Sequence, residues 1–228
     1  MEKESIPTCT GRYKEIGYNR KEHNIVVKTL NNVVIKLFEG VYAPSDDSEV
    51  LLKAVKYSIV TRKLKSIDIA VEIGSGSGYI TARLLSENKI SYAIMIDLDP
   101  YAVYSSWNTL KINNIDDKAD LVQCDGASCI RSSIVELVYF NPPYLPVCDD
   151  IPGAVAWNGG KDGLEVWEKF FIESLRICRN RCSIVYVFST LQNMKKMFRY
   201  IASCKHIELM ICEPFFYETI CGVMVECR

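Results

Sequence analysis

The sequence predicts a doubly wound α/β fold: a mostly parallel, seven-stranded sheet with helices on both faces and a short N-terminal extension. Three observations carry this. Strand-like and helix-like patterns alternate from Val41 to the end of the chain. A glycine-rich stretch, Gly74, Gly76 and Gly78, stands between a strand pattern and a helix pattern. Asp97, Asp125 and Asn141 each fall at or just past the end of a strand pattern, and ligands in such sheets bind beyond the carboxyl ends of the strands.

The elements follow in order. Residues 1–40 are polar and uneven and read as the extension; residues 41–228 read as the main domain. Within the extension, Lys3 to His23 has scattered charge and no period, which suggests an arm. Asn24 to Leu30 and Asn32 to Phe38 are β-branched runs hinged at Asn31-Asn32, the pattern of a hairpin. Ser45 to Leu64 carries Val50, Leu51, Ala54, Val55 and Ile59 near helical spacing. Asp68 to Ile73 is a strand and Tyr79 to Asn88 a helix. Tyr92 to Asp97 is a strand, and Pro100 to Asn113 a helix with Pro at its first turn. Asp120 to Cys124 and Val135 to Phe140 are two further strands. Gly163 to Cys178 is a helix, Ser183 to Phe188 a strand, and Leu191 to Ser203 a helix. Ile207 to Cys212 and Ile220 to Glu226 close the sheet around a loop at Pro214.

Composition narrows the class. The 228 residues suit one large domain with a short appendage. An apolar fraction of 49% and a charged fraction of 24% are those of a globular chain. Lys+Arg total 27 against 28 Asp+Glu, without the basic excess of a nonspecific nucleic-acid binder. The 10 cysteines form no CxxC pair, and His23 and His206 lie outside any ligand-spaced cluster. They read as buried thiols rather than zinc ligands, so no metal site is expected. Met1 to Arg12 has no apolar core of a signal peptide, and no apolar run reaches the ~18 residues of a membrane span. A reducing intracellular compartment, the cytoplasm or also the nucleus, is expected.

Four places carry chemistry. Glu72-Ile73-Gly74-Ser75-Gly76-Ser77-Gly78 lets the backbone turn sharply and approach a ligand closely. Its G-x-G-x-G spacing is one residue short of the dinucleotide pattern G-x-G-x-x-G. A short loop preceded by an acid suits S-adenosylmethionine (SAM), which has no pyrophosphate and carries a cationic amino group. The plain alternative is a glycine-rich strand-to-helix turn. Asp97 can accept both ribose hydroxyls of an adenosine, while Asp99 caps the helix opened by Pro100. Asp125, before Gly126, can accept from an adenine amino group, or can equally serve as an N-cap.

Asn141-Pro142-Pro143-Tyr144 is the strongest signal. The prolines fix the backbone and remove competing N–H groups. A planar nitrogen has two N–H donors, which the Asn141 side-chain oxygen and the Pro142 carbonyl can accept. Tyr144 offers a face for a flat group. Catalysis would be mainly positioning, with the cofactor supplying the reactive methyl.

The order of glycine loop, Asp97, Asp125 and Asn-Pro-Pro-Tyr resembles the class I, Rossmann-like SAM-dependent methyltransferases that act on nitrogen. Within them it is similar to the HemK-type protein glutamine methyltransferases, in the eukaryotic and archaeal branch that modifies the class I translation release factor. Val41-Tyr42-Ala43-Pro44-Ser45-Asp46-Asp47-Ser48 resembles that branch's entry to the first helix. Ala156-Trp157-Asn158-Gly159-Gly160-Lys161-Asp162-Gly163 resembles its turn after the Asn-Pro-Pro-Tyr loop. The resemblance implies SAM contacts at Ser48, Glu72, Gly74, Gly76, Asp97, Asp125, Gly126 and Asn141. It implies catalytic roles for Asn141, Pro142 and Tyr144, and substrate contacts at Asn141, Pro142, Pro143 and Tyr144. The implied reaction is methyl transfer to the glutamine amide of a Gly-Gly-Gln tripeptide. The implied partner is a small zinc-binding activator protein that adds a strand to the apolar edge strand Asp120 to Cys124. The N-terminal hairpin is the alternative cover for that edge. Alternative readings of the same motif are methylation of an exocyclic amine of adenine or guanine, methylation of a protein lysine, and an inert SAM-binding or nicotinamide-binding scaffold. The charged N-terminal 40 residues and Cys148-Asp149-Asp150 depart from the branch's pattern.

Overall fold

The computed structural model describes residues 26–149 and 154–227. The arm read over Lys3 to His23, the residues Asn24 and Ile25 that open the predicted hairpin, and Asp150 lie outside them.

The hairpin is formed by β1 (Val26–Leu30) and β2 (Val33–Leu37). Asn31 and Asn32 take positive φ of 47° and 68°, as a two-residue turn with the twist of the flanking strands requires. The remaining elements are α1 (Asp46–Thr61), β3 (Ile67–Ile73), α2 (Tyr79–Ser86), β4 (Ile90–Asp97), α3 (Pro100–Ile112), β5 (Ala119–Gln123) and β6 (Val135–Phe140). They are followed by α4 (Glu165–Ile177), β7 (Cys178–Ser189), α5 (Met194–Ile201), β8 (His206–Pro214) and β9 (Thr219–Glu226). The seven-stranded sheet has the order β5-β4-β3-β6-β7-β9-β8. The pairs from β5 to β7 are parallel, and β9 runs against both its neighbours.

Each face of the sheet is sealed by its own apolar layer. Ala70, Leu137, Tyr139, Val185 and Val187 meet α1, α2 and the hairpin. Val71, Ile73, Val138, Phe140, Ile184 and Tyr186 meet α4 and α5, with Trp167 and Phe171 at the centre. The central strands are therefore apolar on both sides, as parallel strands buried between helices must be. Strand order reverses between β3 and β6, so the loops after β3, β4 and β6 open around one crevice.

The hairpin does not cover the β5 edge. It packs on α2 and α3, burying Val33, Ile35 and Leu37 in the first layer. Val34 N donates to Asn113 Oδ1 at 3.0 Å, and Ser105 Oγ donates to Lys36 O at 2.6 Å. Those bonds use the backbone groups of β2 that face α3. Among the described residues, the outer side of β5 stays unpaired.

The reading of the cysteines as thiols is corrected in part. Cys178, Cys182 and Cys221 are buried as expected. The structure nonetheless joins Cys178 to Cys182, Cys204 to Cys227 and Cys212 to Cys221, and Cys148 is also disulfide-bonded. The antiparallel register sets Cys212 directly opposite Cys221, with Cα atoms 4.1 Å apart. Spacing along the chain does not carry that information, because register is a property of the pair of strands.

Candidate active site

A cavity of ≈ 740 Å³ opens at the carboxyl ends of β3, β4, β5 and β6. Ser48, Glu72, Gly74, Gly76, Asp97, Asp125, Gly126, Asn141, Pro142, Pro143 and Tyr144 all line it. The structure thus brings every predicted site residue to one wall or another of a single cavity.

The floor is the glycine loop between β3 and α2. Gly74, Gly76 and Gly78 have φ of 77°, 54° and 76°, a region that side chains with a Cβ avoid. Gly74 N and Ser75 N donate to Ile96 O at 2.8 and 2.9 Å, fastening the loop to the end of β4. A Cβ on Gly76 would meet nothing within 4 Å, so the backbone there faces open cavity.

Asp97 ends β4. One carboxylate oxygen accepts from Gly76 N at 2.8 Å and the other from Asp99 N at 2.9 Å. These bonds aim the carboxylate and leave further lone pairs for a ligand. Burial pushes its pKa up to about 6, only partly offset by the backbone donors. Asp99 caps α3, accepting from Tyr101 N at 2.9 Å.

Glu72 is 2% exposed, and its carboxyl group accepts from Thr81 Oγ1, which also bonds Tyr139 Oη. Burial pushes its pKa up to about 8. The group is therefore mostly protonated at neutral pH, although it lines the cavity. Asp125 pairs with Lys169 of α4, which also lines the cavity. Gly126 has φ of 64°, and a Cβ there would collide with the Glu173 carboxylate, whose Oε2 accepts from Ala127 N.

At the far wall, Asn141 Nδ2 donates to Asp47 Oδ2 at 2.9 Å. Tyr42 Oη and Tyr144 Oη donate to the same oxygen at 3.1 and 3.3 Å, and Ser48 N donates to Asp47 Oδ1 at 2.7 Å. A carboxylate only accepts, so it fixes which end of the Asn141 amide is which. The NH₂ must face Asp47. The oxygen, Asn141 Oδ1, is left buried and without a partner. Native interiors rarely leave such an acceptor unpaired, and one beside a cavity marks where a donor belongs. Burial, with Asp47 adding to it, holds the Tyr42 and Tyr144 hydroxyls well above the usual tyrosine range, so both remain donors.

The sequence alone gives Asp47 and Tyr42 no role beyond opening the first helix. Their function depends on α1 docking against the loop after β6, 94 residues away in sequence. The described parts of the segment before α4 return to the cavity. Trp157 Nε1 donates to Asp149 Oδ2 at 2.9 Å, Gly159 N donates to Leu145 O at 2.8 Å, and Val155, Ala156 and Trp157 line the cavity. Among the described residues no group of three or more His, Cys, Asp or Glu is placed to hold a metal ion.

The donor set fits SAM: an acid at the end of β4, a glycine floor open to a ligand, and one orphaned acceptor at the far wall. Comparison with known proteins agrees with that chemistry. A family model described as the methyltransferase small domain matches residues 45–207. A putative protein N5-glutamine methyltransferase of Methanocaldococcus jannaschii is 31% identical over 148 residues, 63% of this chain and 70% of that protein. Human methyltransferase HEMK2 is 32% identical over 142 residues, 59% of this chain and 64% of its own length. The release factor glutamine methyltransferase of Aquifex aeolicus is 26% identical over 143 residues, covering 59% of this chain and 50% of that protein. Among solved structures, M. jannaschii TYW2 in complex with AdoMet has a TM-score of 0.60 at 13% identity, over 93% of this chain and 90% of that one. Pyrococcus horikoshii TYW2 in complex with MeSAdo has a TM-score of 0.62 at 13% identity, over 90% and 72%. At such identities the structures speak for the fold alone.

Proposed function

The chain belongs to the methyltransferase small-domain family, and from that premise we propose that it transfers a methyl group from SAM to the side-chain amide nitrogen of a glutamine, in the Gly-Gly-Gln tripeptide of a class I translation release factor. The names of the relatives support the glutamine and the release factor. The observation that carries the proposal is the Asn141 amide: its NH₂ is held by Asp47, and its oxygen is buried, unpartnered and at the cavity wall.

When bound, SAM supplies a methyl carbon activated by its sulfonium. The chain's own residues do the rest. Gly74 and Gly76 would let the cofactor lie against the backbone, and Asp97 would accept from its ribose hydroxyls. Ser48, Asp125 and Gly126 line the same cavity and would complete the cofactor's bed. Asn141 Oδ1 and the Pro142 carbonyl accept the two amide N–H groups of the incoming glutamine. A side-chain amide is a weak nucleophile because its lone pair is delocalised. Two accepted bonds raise the density on nitrogen and turn it in line with the methyl, at a near-attack distance of ~3–3.5 Å. Tyr144 packs the flat amide from one side, with its own hydroxyl tethered to Asp47.

An exocyclic amine of a nucleobase also has two donors, but this chain lacks the positive excess that phosphate binding calls for. The tip between β8 and β9 supports a protein substrate instead. It stands at the same end of the sheet as Asn141, with Phe216 and Tyr217 90% and 84% exposed. Incubation with SAM and a release factor, followed by mass spectrometry of the Gly-Gly-Gln peptide, tests the proposal. The expected result is one added methyl on the glutamine. An unmodified peptide, with label entering DNA, RNA or a lysine side chain, would overturn it.

We further propose a heterodimer with a small zinc-binding activator, seated as an added strand on β5. Its support is the unpaired outer side of β5 and the half-buried Leu121 and Val122 on it. A chain that is soluble, monomeric and fully active when expressed alone would refute the partner. With a release factor as substrate, the site of action is the cytoplasm.

A further inference from the structure

The cysteines of this chain fall into two groups. Among the described residues, Cys148, Cys178, Cys182, Cys204, Cys212, Cys221 and Cys227 are disulfide-bonded, while Cys124 and Cys129 are free. The two free cysteines are each other's neighbours. They flank the turn after β5, with Asp125 and Gly126 between them, and Cys124 itself lines the cofactor cavity.

The geometry converges on one sulfur. Cys129 N donates to Cys124 Sγ at 3.2 Å, Ser128 Oγ lies 3.2 Å from it, and the two thiols are close enough to shift each other's titration. Cys124 is held in place by its own N–H, which donates to Asp97 O at 2.9 Å. Cys124 is half-buried against the cavity, and Cys129 is exposed to solvent. A backbone N–H aimed at the sulfur favours its anion, and an exposed second thiol lies beside it.

We propose that Cys124 and Cys129 form a thiol–disulfide exchange site in the cofactor cavity, oxidised by low-molecular-weight disulfides, and that closing this bond weakens SAM binding. The second half rests on the cofactor placement proposed above; the first half does not.

The exchange balances in two steps. The Cys124 thiolate attacks one sulfur of a small disulfide, forming a mixed disulfide and releasing one small thiolate. Cys129 then loses its proton and attacks Cys124 Sγ, closing the internal bond and releasing the second thiolate. Two protein thiols are oxidised, and one small disulfide is reduced to two thiols. The division of labour follows from the environments. Burial pushes Cys124 up, but the bonds from Cys129 and Ser128 outweigh it and hold the thiol below its ordinary value. Although the residue as a whole is exposed, desolvation at its sulfur and the neighbouring Cys124 push Cys129 up to about 12. The nearby Glu173 raises both. Cys124 is the attacking sulfur and Cys129 the resolving one.

Closure must disturb the cavity. A bonded pair of sulfurs sits at ~2.05 Å, well inside hydrogen-bonding distance, so the two side chains must draw together across the turn and the contacts around Cys124 Sγ must readjust. The turn between them has little slack. Ser128 Oγ donates to Asp125 O at 3.0 Å, Ala127 N is tied to Glu173, and Gly126 has no room for a side chain. Asp125 and Gly126 therefore move with the sulfurs.

The test uses the full chain, purified without reductant and treated with oxidised glutathione. Peptide mass spectrometry under non-reducing conditions locates the bonds, and calorimetry reads SAM affinity before and after. The parent should gain a Cys124–Cys129 bond, lose two hydrogens, and bind SAM at least about tenfold more weakly. Cys129→Ser should bind SAM normally when untreated and stop at a stable glutathione adduct on Cys124. If no bond joins Cys124 to Cys129, or if Cys129→Ser forms no adduct, the exchange site is refuted. A bond that leaves SAM affinity unchanged refutes its regulatory half. An untreated parent that does not bind SAM refutes the cofactor reading instead, since the bond is read independently by mass.

Discussion

Replacing Asp47 by asparagine isolates the step on which the proposed mechanism depends. Asp47 is 4% exposed and accepts from Ser48 N through one oxygen and from Asn141, Tyr42 and Tyr144 through the other. The substitution keeps the shape and swaps one acceptor oxygen for an NH₂. The Ser48 backbone N–H, 2.7 Å away, cannot turn, so the new amide must keep its oxygen there. Its NH₂ then faces the Asn141 NH₂. The tyrosine hydroxyls can rotate to accept, but two NH₂ groups cannot satisfy each other, so the Asn141 amide turns over. The cavity would then present a donor where the glutamine N–H needs an acceptor. Losing one hydrogen bond of this kind in the transition state costs about 2.7–4 kcal/mol, or 10²–10³ in kcat. The fold should survive, because a neutral amide is cheaper to bury than a carboxylate. Asp47→Ala leaves the Asn141 amide unheld but free to stay in its productive orientation. The alanine variant should therefore be more active than the asparagine variant, the reverse of the order expected from conservative chemistry. Single-turnover transfer from labelled SAM to the release factor, with SAM affinity measured separately, decides the matter. Asp47→Asn turnover within about threefold of the parent, or a less active alanine variant, would refute the reasoning.

Three further outcomes follow from the same geometry. Asp97→Ala should weaken SAM binding by about 1.5–3 kcal/mol, the worth of bonds to a charged acceptor. In the parent, affinity should fall as pH drops through about 6, where Asp97 takes up its proton; calorimetry showing a flat profile between pH 5 and 7 would contradict the ribose role. Glu72 has a folded pKa of about 8 against an ordinary 4.5. Its contribution to stability is complete below the ordinary value and is lost as pH rises through about 8. Glu72→Gln should flatten the decline in Tm between pH 5 and pH 9, and equal declines would sink that account. Gly78 has φ of 76°, and a Cβ there would lie 2.9 Å from the Ser106 Cα. Gly78→Ala should cost at least about 1–2 kcal/mol from the left-handed backbone alone, read as a lower Tm; an unchanged melting curve would show that the loop can relax.

The order of elements was legible because the inner strands β3, β6, β7 and β9 are buried largely on both faces and each helix on one. Burial writes its period into the chain. The glycine loop, Asp97, Asp125 and Asn-Pro-Pro-Tyr were legible for a related reason: a doubly wound sheet places its strand ends together, so four local motifs imply one site. What depends on contact between distant segments was not written locally. The spacing Asp46-Asp47-Ser48 marks a helix start. Only the docking of α1 against the loop after β6 makes Asp47 the group that orients Asn141. The hairpin was visible as two β-branched runs, but its seat on α3, and hence the open side of β5, came from bonds such as Ser105 to Lys36. The acid before the glycine loop was read as a charge for the cofactor's amino group. Its burial beside Thr81 and Tyr139 makes it a mostly neutral carboxyl in the folded protein. The cysteines show the limit most plainly. Their apolar neighbours announced burial, but pairing Cys212 with Cys221 needs the register of β8 on β9, and register exists only once two strands meet.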